Sequence, residues 1–406
     1  MGYKVNRLGR VAIKAQGSGW GTAETTFAST TYVEAEVFVP PWKHESHRTD
    51  PLRSGFEEPE VLPGSKAGID VSLKFPLHGH SAATPSADAS VHPDALLMQM
   101  ALGAAVQTGY TATNIASGGT TSSVKFTAAS TNWEGSAILI PVTTAAVYEL
   151  FWAKDVDTSG TPDTSTVLAT LQRTPASSGT HYGSNTCYLS NATPTPITLD
   201  FIGTEAGAHV RYSDGLVKSV KVTCGARKNP MCEAVIHFTG TPTFPGSGGS
   251  LAAYAYDFPL VPVAIQANGA AGYFNSAWDT ISETTFSVDC TLNEVDGYGS
   301  AEGVAQMVVA DRKVTATVII PCDGTYTADV LEPGTSIGKL EVLYATVTPG
   351  RAAGFCIPSP TLVSATQLVD RSGVLAVQYE IAAQVYSGDG GAGAGAGQTA
   401  VRFSFA

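Results

Sequence analysis

Alternation of polar and apolar residues dominates this chain. Eight segments alternate with a period of two, and they cover residues 30–40, 68–77, 216–224, 233–240, 284–295, 313–321, 374–386 and 399–406. The pattern is rich in Val, Thr and aromatic residues, which is typical of half-buried antiparallel strands. Turn signals are predicted at four dipeptides, Asp214-Gly215, Asn268-Gly269, Asp296-Gly297 and Asp323-Gly324. We therefore expect a mainly β fold.

One helix is predicted, over residues 92–106 (HPDALLMQMALGAAV). Pro93 and Asp94 suit its first turn, where a missing N–H and a negative charge are tolerated. Its apolar stripe would consist of Leu96, Leu97, Met100 and Ala104. Because a lone helix in a β-rich chain usually covers an open sheet, we expect it to pack on one face of a sandwich.

Two stretches are predicted to be long loops. Residues 41–64 contain four prolines and mixed charge, and residues 388–397 read GDGGAGAGAG. Residues 118–196 are Thr/Ser-rich and form either an inserted subdomain or a set of loops. The GSGGS sequence at residues 246–250 is typical of a flexible joint. It divides the chain into two predicted units, 1–248 and 249–406.

A short motif occurs twice. Residues 11–27 read VAIKAQGSGWGTAETTF, and residues 263–286 read VAIQANGAAGYFNSAWDTISETTF. Each copy opens on Val-Ala-Ile, passes a Trp and ends in Glu-Thr-Thr-Phe, which we expect to start a strand. Such self-similarity indicates two copies of one supersecondary unit. The alternative is coincidence in a chain rich in Thr, Ala and Gly.

Charged residues make up only 14% of the 406 residues, against about 25% in typical proteins. That composition suits a subunit that buries much of its surface against neighbours, or a secreted β-protein with an uncharged polar surface. The net charge of −12 argues against non-specific binding of nucleic-acid phosphates, although DNA could still slide past such a surface. Since no apolar run approaches about 18 residues and the first ten lack an apolar core, we expect neither a membrane span nor a secretory signal.

The six cysteines form no Cys-x-x-Cys pair, so a zinc site is not expected. Their even number would permit disulfides. Without a predicted export signal, buried free thiols are the favoured interpretation. The cysteines are Cys187, Cys224, Cys232, Cys290, Cys322 and Cys356.

Candidate catalytic and metal sites are all weak. Five histidines near the front could suggest a metal, but no Cys or carboxylate pattern completes a site, so solvent-facing side chains are favoured; they are His44, His47, His78, His80 and His92. The stretch 155–163 (DVDTSGTPD) resembles the start of a calcium loop but has Thr166 where a bidentate Glu is needed. It is interpreted as a polar loop.

Two Gly-rich stretches and a glycosylation motif also lack the context that their chemistry needs. Residues 334–338 (GTSIG) match a nucleophile elbow but precede a strand-like segment where a helix is required. Residues 17–21 (GSGWG) also precede a strand, so no helix N-terminus is present to bind phosphate. Asn191 begins an Asn-Ala-Thr acceptor, which matters only in an exported protein. We therefore expect no catalytic, cofactor-binding or metal site and no enzymatic activity.

The order of several segments resembles the tail tube (major tail) proteins of long-tailed, siphovirus-type bacteriophages. The segments that carry the resemblance are RVAIKA…GWGTA (10–23), GxxAGIDVSLKFPL (64–77), PDALLMQMALG (93–103), YSDGLVKSVKVTC (212–224) and FSVDCTLNEV followed by ADRKVTATV (286–318). The resemblance spans most of the chain, although residues 118–196 have no counterpart in it.

This resemblance implies a tail-tube-type β-sandwich or barrel with one packed helix. Such subunits close into rings that stack into a tube, through which DNA and the tape-measure protein pass. Tail-tip and tail-terminator proteins would be further partners, and the protein would reside in the virion after assembly in the host cytoplasm. Because 406 residues can hold two such folds, three chains could form a pseudo-sixfold ring. The alternative is a hexameric ring with one enlarged fold per chain.

Two other classes of function stay open from the sequence. One is another phage structural protein, such as a capsid decoration or tail-completion protein. The other is a carbohydrate-binding β-sandwich that would use exposed aromatic residues, with Trp42, Trp133 and Trp152 as candidates.

Overall fold

The computed structural model describes most of the chain. The described residues are 9–27, 31–39, 44–48, 61–66, 68–78, 93–106, 113–142, 148–192, 194–202, 209–225, 228–245, 271–275, 277–297, 303–322, 332–345, 352–371, 373–386, 388 and 399–406.

Strands make up most of the regular structure. In chain order they are β1 (Gly9–Ala15), β2 (Tyr32–Phe38), β3 (His44–Arg48), β4 (Val61–Lys66), β5 (Ile69–Pro76), β6 (Gly103–Val106), β7 (Ser123–Phe126), β8 (Ala137–Pro141), β9 (Tyr148–Asp157), β10 (Asp163–Val167), β11 (Tyr182–Gly183), β12 (Asn185–Leu189), β13 (Ile197–Ile202), β14 (His209–Gly225), β15 (Met231–Phe238), β16 (Ala271–Asn275), β17 (Ala277–Thr280), β18 (Glu283–Asp296), β19 (Val304–Pro321), β20 (Lys339–Ala345), β21 (Ala353–Ile357), β22 (Pro360–Leu362), β23 (Gln367–Arg371), β24 (Val374–Ala383) and β25 (Arg402–Phe405). The described residues also form an α-helix, α1 (Pro93–Leu102), and a 3-10 turn (Thr131–Trp133).

The mainly β prediction is confirmed. Each of the eight predicted strands coincides with an observed one, namely β2, β5, β14, β15, β18, β19, β24 and β25. Two of them are much longer than the sequence pattern indicates, because β14 has 17 residues and β19 has 18. Each of these two strands continues beyond a position at which the alternation of polar and apolar residues is interrupted.

Eleven strands form one large sheet that is barrel-like at one end. Its order is β13-β1-β2-β5-β15-β14-β18-β19-β24-β22, and β23 pairs with β24 as well. Strand β13 pairs with β1 and also with the first half of β14, so six strands return on themselves in a closed ring. The second half of β14 leaves this ring and pairs with β18. One continuous sheet is therefore half barrel and half open layer.

A kink in β14 lets one strand serve both halves. Asp214 has a φ of 57° and lies within β14, so the turn predicted at Asp214-Gly215 is wrong. Gly215 is required here because a Cβ at this position would meet the ring of Phe238 at 2.3 Å. The chain bends without reversing because its backbone hydrogen bonds continue to neighbouring strands on both sides of the kink.

A second sheet of seven strands packs against the open half of the first. Its order is β17-β16-β20-β21-β25-β12-β6. Phe286 of β18 stacks between the two layers, with its ring centroid 4.8 Å from that of Phe355 and 5.3 Å from that of Phe403. These side chains belong to one continuous apolar core that also fills the barrel-like half. The two sheets form the sandwich that the sequence predicts.

Both sheets contain strands from the two predicted units. Strand β14 pairs with β18 from Ser219 and Asp289 to Gly225 and Glu283, and β12 pairs with β25. The joint predicted at residues 246–250 lies outside the described residues. Strands from the two sides of the predicted joint are therefore neighbours in both sheets, although β15 and β16, which directly flank it, belong to different sheets.

Helix α1 is shorter and more deeply buried than predicted. It ends at Leu102, and residues 103–106 form β6, because Gly103 has a φ of 105° and a Cβ there would meet Ser190 O at 2.6 Å. Nine of its ten residues are buried, with Gln99 only partly exposed. The helix contacts β1, β14 and β18 of one sheet and β6 and β12 of the other. It therefore fills the space between the layers and does not cover an outer face.

An arginine from a distant strand caps the end of this helix. Arg312 Nε donates to Ala101 O at 2.9 Å, and its two terminal nitrogens donate to Ser190 O and Ala192 O at 3.0 Å each. Carbonyls at a helix C-terminus lack intrahelical partners and carry partial negative charge, so a guanidinium stabilises them. This contact also anchors the β18–β19 hairpin to the helix.

The Thr/Ser-rich region forms a small sheet with a core of its own. Its strand order is β11-β8-β9-β10-β7, and isolated bridges from Ile115 to Phe126 and from Asn114 to Thr180 link its two ends. Its core contains Phe126, Trp133 and Phe151. This unit, residues 113–183, is the inserted subdomain that the sequence left open. It ends before the predicted residue 196 because β12 and β13 belong to the two larger sheets.

The first copy of the repeated motif folds differently from the expectation. Residues 22–27 form no strand, so the expected strand at Glu24 is wrong, and β2 begins only at Tyr32. Glu24 instead accepts from Lys14 Nζ at 2.8 Å, while Phe27 lies 5.8 Å below the Arg211 guanidinium. These contacts hold the segment against the outer wall of the barrel-like half.

The second copy gives the expected strand at its end. Thr284 and Phe286 lie in β18, at the centre of the large sheet, whereas residues 263–270 lie outside the described residues. In the predicted loop 41–64, residues 44–48 and 61–66 are paired as β3 and β4, so this part is a ribbon. Of the predicted loop 388–397, only residue 388 is described.

Truncating the helix core should strongly destabilise the protein. We expect Leu97→Ala to lower the free energy of unfolding by about 2–5 kcal/mol, because Leu97 is fully buried between the sheets. Gln99→Ala on the same helix is the control and should cost no more than about 0.5 kcal/mol. Urea unfolding followed by circular dichroism measures both. Equal effects of the two substitutions would show that the helix does not hold the layers together.

The inserted unit should lose stability in acid through His181. Burial lowers the pKa of His181 to about 4, and its ring packs against Phe126 and Trp133 at 4.6 and 5.3 Å. The folded unit therefore favours neutral imidazole, and its stability falls as pH decreases from about 6.5 to about 4, by roughly 3 kcal/mol. Trp fluorescence during urea unfolding should show this loss, and His181→Leu should reduce it. An unchanged acid response in His181→Leu would contradict the assignment.

Candidate functional site

The outer face of the large sheet presents outward side chains from many adjacent strands. Along β5, β15 and β18, buried residues alternate with residues that point away from the core. The outward residues of five adjacent strands, β2, β5, β15, β14 and β18, line a groove with a volume of about 900 Å³. We take this outer face as the candidate functional site.

One row across the groove alternates in charge from strand to strand. Glu36 of β2 is the register partner of Lys74 of β5, which faces Glu233 of β15, which in turn faces Lys221 of β14. Lys74 Nζ donates to Glu233 Oε1 at 2.6 Å, and this hydrogen bond raises the pKa of Lys74. Opposite charges on neighbouring strands stabilise the pairing modestly and leave the row without excess charge.

A second row of outward residues, next to the first, also pairs charges of opposite sign. Ser72, Val235 and Ser219 occupy successive strands, and Ser219 faces Asp289 of β18, which faces Lys313 of β19. The two rows together carry three carboxylates and three ammonium groups, so the face has no cationic stripe of the kind that grips phosphates. Phe38, 67% exposed, stands at the rim of the groove.

Hydroxyl groups line another part of the face. Thr223, Thr285 and Thr317 lie side by side on β14, β18 and β19. Ser287 and Thr315 join their hydroxyls at 2.8 Å on the neighbouring row. Short polar side chains on adjacent strands give a smooth wettable surface without long flexible groups.

An ionic cluster joins four strands, β5, β15, β14 and β18, at one margin of the face. His237 Nδ1 lies 2.6 Å from Asp70 Oδ1, and its Nε2 lies 2.9 Å from Glu294 Oε1. Lys218 Nζ donates to Asp70 Oδ2 at 2.7 Å. Partial burial alone would raise the pKa of Asp70, but the hydrogen bonds from Lys218 and His237 outweigh it, so this pKa lies below its ordinary value. The cluster ties the β18–β19 hairpin to the barrel wall.

The sequence motifs considered for chemistry lie apart from this face. Asp155 and Asp157 stand at the β9–β10 hairpin, where Asp157 Oδ1 accepts from Ser159 N at 2.8 Å, as expected for a polar loop. Residues 334–338 lead into strand β20, which confirms the reason for rejecting a nucleophile elbow. Gly21 N, in the glycine-rich stretch, donates to Asp214 Oδ1.

The described histidines and cysteines form no metal site. Among the described residues, no group of three or more His, Cys, Asp or Glu side chains is placed to hold a metal ion. His78 is not solvent-facing as expected, because it is largely buried against Asp94, whose Oδ2 lies 3.3 Å from its Nδ1. Nothing is described of the side chains of His44, His47, His80 and His92. None of the six cysteines, all of which the structure describes, is in a disulfide, and all but Cys322 are buried, as the favoured interpretation predicts.

Two of the three tryptophans proposed as exposed, carbohydrate-binding residues are buried, so this prediction is wrong for them. Trp133 and Trp152 are 4% and 0% exposed, respectively. Trp133 fills the core of the inserted unit, and Trp152 lies between that unit and the seven-stranded sheet. Trp42 lies outside the described residues. A carbohydrate platform built on Trp133 or Trp152 is therefore excluded.

Comparison with known proteins leaves the family open. No protein-family model matches this chain, and no curated protein sequence is significantly similar to it. Within the part of the chain that the structure describes, no helix has the length and apolar character needed to cross a membrane.

Reversing the acidic members of the face should create DNA binding. We expect the triple variant Glu36→Lys, Glu233→Lys, Asp289→Lys to retain duplex DNA on a filter at low salt and to release it as salt increases. The natural chain should not retain DNA. A control variant places three lysines on separate elements, at Asp155, Asp311 and Glu332, and should bind more weakly. Equal retention by the natural chain and the triple variant would contradict the charge compensation.

Proposed function

We propose that this chain is a structural virion protein, the subunit that closes into rings and stacks into the tail tube of a long-tailed bacteriophage. The first support for this proposal is the sequence resemblance. No family model and no curated relative adds to that support. The structural observation that carries it is the continuous large sheet, which is apolar on its inner side and polar and charge-compensated on its outer side. A conduit wall needs a surface that does not retain DNA.

The proposed tube places the groove face toward the lumen. Alternating charges and short hydroxyl side chains offer transiting DNA no continuous row of cations. The tape-measure protein would occupy the same lumen during assembly. The proposal assigns the protein no catalytic activity, cofactor or membrane insertion, and it places assembly in the host cytoplasm.

The open edge of the large sheet is the proposed junction between chains. Strands β22 and β23 both pair with β24 on the side opposite β19, and residues 334–337 cover β22 with backbone hydrogen bonds, so β23 is the open edge within the described residues. Leu368, Val374 and Leu375 are about half exposed at this edge. An unpaired edge with exposed apolar side chains favours pairing with another chain.

The pairing of β14 with β18 supports two tube-like units in one chain. Each side of the predicted boundary contributes a long hairpin, β14–β15 or β18–β19, and the two hairpins join edge to edge. If each half is one unit, three chains complete a pseudo-sixfold ring. Six chains would be needed if the whole chain is one enlarged unit. Head-to-tail contacts that close by rotation produce either ring.

Electron microscopy of the purified chain tests the proposal. We expect rings or tubes at high concentration or beside a tail-tip initiator, and class averages would give the symmetry. The double variant Leu368→Lys, Leu375→Lys should stay folded but unassembled, because Leu368 lies on edge strand β23 and Leu375 on the neighbouring β24, and charge at this edge blocks pairing. Phe244→Lys is the control, since Phe244 is 77% exposed away from this edge and should leave assembly intact.

Monomers alone over a wide concentration range, with and without an initiator, would contradict the tube. Binding of such monomers to preformed capsids or tails would favour the second candidate, a decoration or tail-completion protein. Normal tubes from the double variant would be compatible with the tube function but would show that β23 is not the junction between chains.

A further inference from the structure

The inserted unit meets the seven-stranded sheet through an interface that contains buried carboxyl groups. Its apolar part includes Leu150 and Trp152 from β9 and Leu343 from β20. Glu149 of β9 and Glu341 of β20 are only 4% and 1% exposed. Two acids buried in one interface call for an explanation, because burying a charged carboxylate is costly.

Residues 168–173 of the inserted unit are held by both acids. Lys339 Nζ donates to Leu168 O, and the Glu341 carboxyl group accepts from the backbone N–H of Ala169. On the other side, Glu149 Oε1 accepts from Gln172 N at 2.7 Å. The segment therefore forms a bridge whose anchors belong to the inserted unit at one end and to the sandwich at the other.

The charges around these acids come from several elements. Lys339 on the same strand and Arg402 of β25 face Glu341, and Arg173 faces Glu149. The two acids also interact unfavourably with each other. Other titratable groups in this interface are Cys356 of β21, which is the register partner of both Glu341 and Arg402, and Tyr148 and Tyr182 of the inserted unit.

Burial outweighs the nearby cations. It raises the pKa of Glu341 to about 8 and the pKa of Glu149 to about 7. Glu341 Oε1 and Glu149 Oε2 have no hydrogen-bond partner among the residues that the structure describes. A neutral carboxyl group tolerates such surroundings far better than a carboxylate does.

We propose that residues 168–173 form a proton-controlled clamp between the inserted unit and the seven-stranded sheet. The clamp is closed while Glu149 and Glu341 are protonated, and ionisation of these groups loosens it. This device is independent of the proposed tube function, because it concerns contacts within one chain.

The direction of the pH effect follows from linkage. Opening the clamp exposes both acids to water, where a carboxyl group ordinarily titrates near 4.5. The closed state therefore binds more protons, and closing weakens as pH rises. Each acid contributes up to about a tenfold increase in the opening constant per pH unit. Glu149 contributes below about pH 7, and Glu341 contributes up to about pH 8.

Hydrogen exchange of residues 168–173 tests the clamp in the full chain. After correction for the intrinsic pH dependence of exchange, we expect protection to fall steeply up to pH 7, about tenfold from pH 7 to 8, and little above pH 8. Glu341→Gln should abolish the change between pH 7 and 8. Glu149→Gln should keep that change but make the profile shallower below pH 7. Glu36→Gln, an exposed acid on the outer face, should match the natural chain.

Two results would overturn the clamp. One is protection that does not change between pH 5 and 9 in the natural chain. The other is a double Gln variant with the pH profile of the natural chain. If neither variant folds, infrared spectroscopy of the natural chain decides, because the signal of protonated carboxyl groups should persist at pH 6 and disappear by pH 9. Its absence at pH 6 would also refute the proposal.

Discussion

The pairing of β14 with β18 is the contact on which the rest of the architecture depends. It joins the closed half of the large sheet to the open half, with residues from Ser219 to Gly225 in register with Asp289 to Glu283. Because side chains alternate between faces, this register places Val220 and Val222 in the same core as Phe286 and Val288. A shift by one residue would turn every outward side chain inward. The same register therefore fixes both the core and the outer face.

The helix and the inserted unit depend on that sheet in different ways. Helix α1 fills the space between the layers, and Arg312 of the long hairpin caps its end. The inserted unit has its own core and meets the body across the opposite side of the seven-stranded sheet. The proposed lumen face and the proposed clamp thus lie on different layers, and either can be altered without changing the other.

Much of the secondary structure could be predicted from the sequence, because half-buried antiparallel strands impose a period of two. The predicted strands at β5, β15 and β18 are correct for this reason. The kink at Asp214 could not be foreseen, since Asp-Gly marks a turn as well as a bulge, and only Phe238 on the next strand requires Gly215. The helix packs differently from the prediction because its partners come from both sheets, so no polar side of it faces the solvent.

The outer face was not visible in the sequence as a unit. Alternation identifies Lys74, Glu233 and Lys221 as outward residues, but they are far apart in the chain, and only the strand order makes them neighbours. The same limit applied to Trp152, whose burial depends on the docking of two separate sheets. Strand order and docking arise from long-range contacts, whereas periodicity is local.

The central claim is that this face lines the lumen of a tube, and the position of one labelled residue tests it most directly. Ser287 lies in the groove and can be replaced by Cys to carry a gold cluster, with the natural chain as the background control, since five of its six cysteines are buried. Electron microscopy of assembled particles should then show the gold along the tube axis. Gold on the outer surface of the tubes would contradict the account.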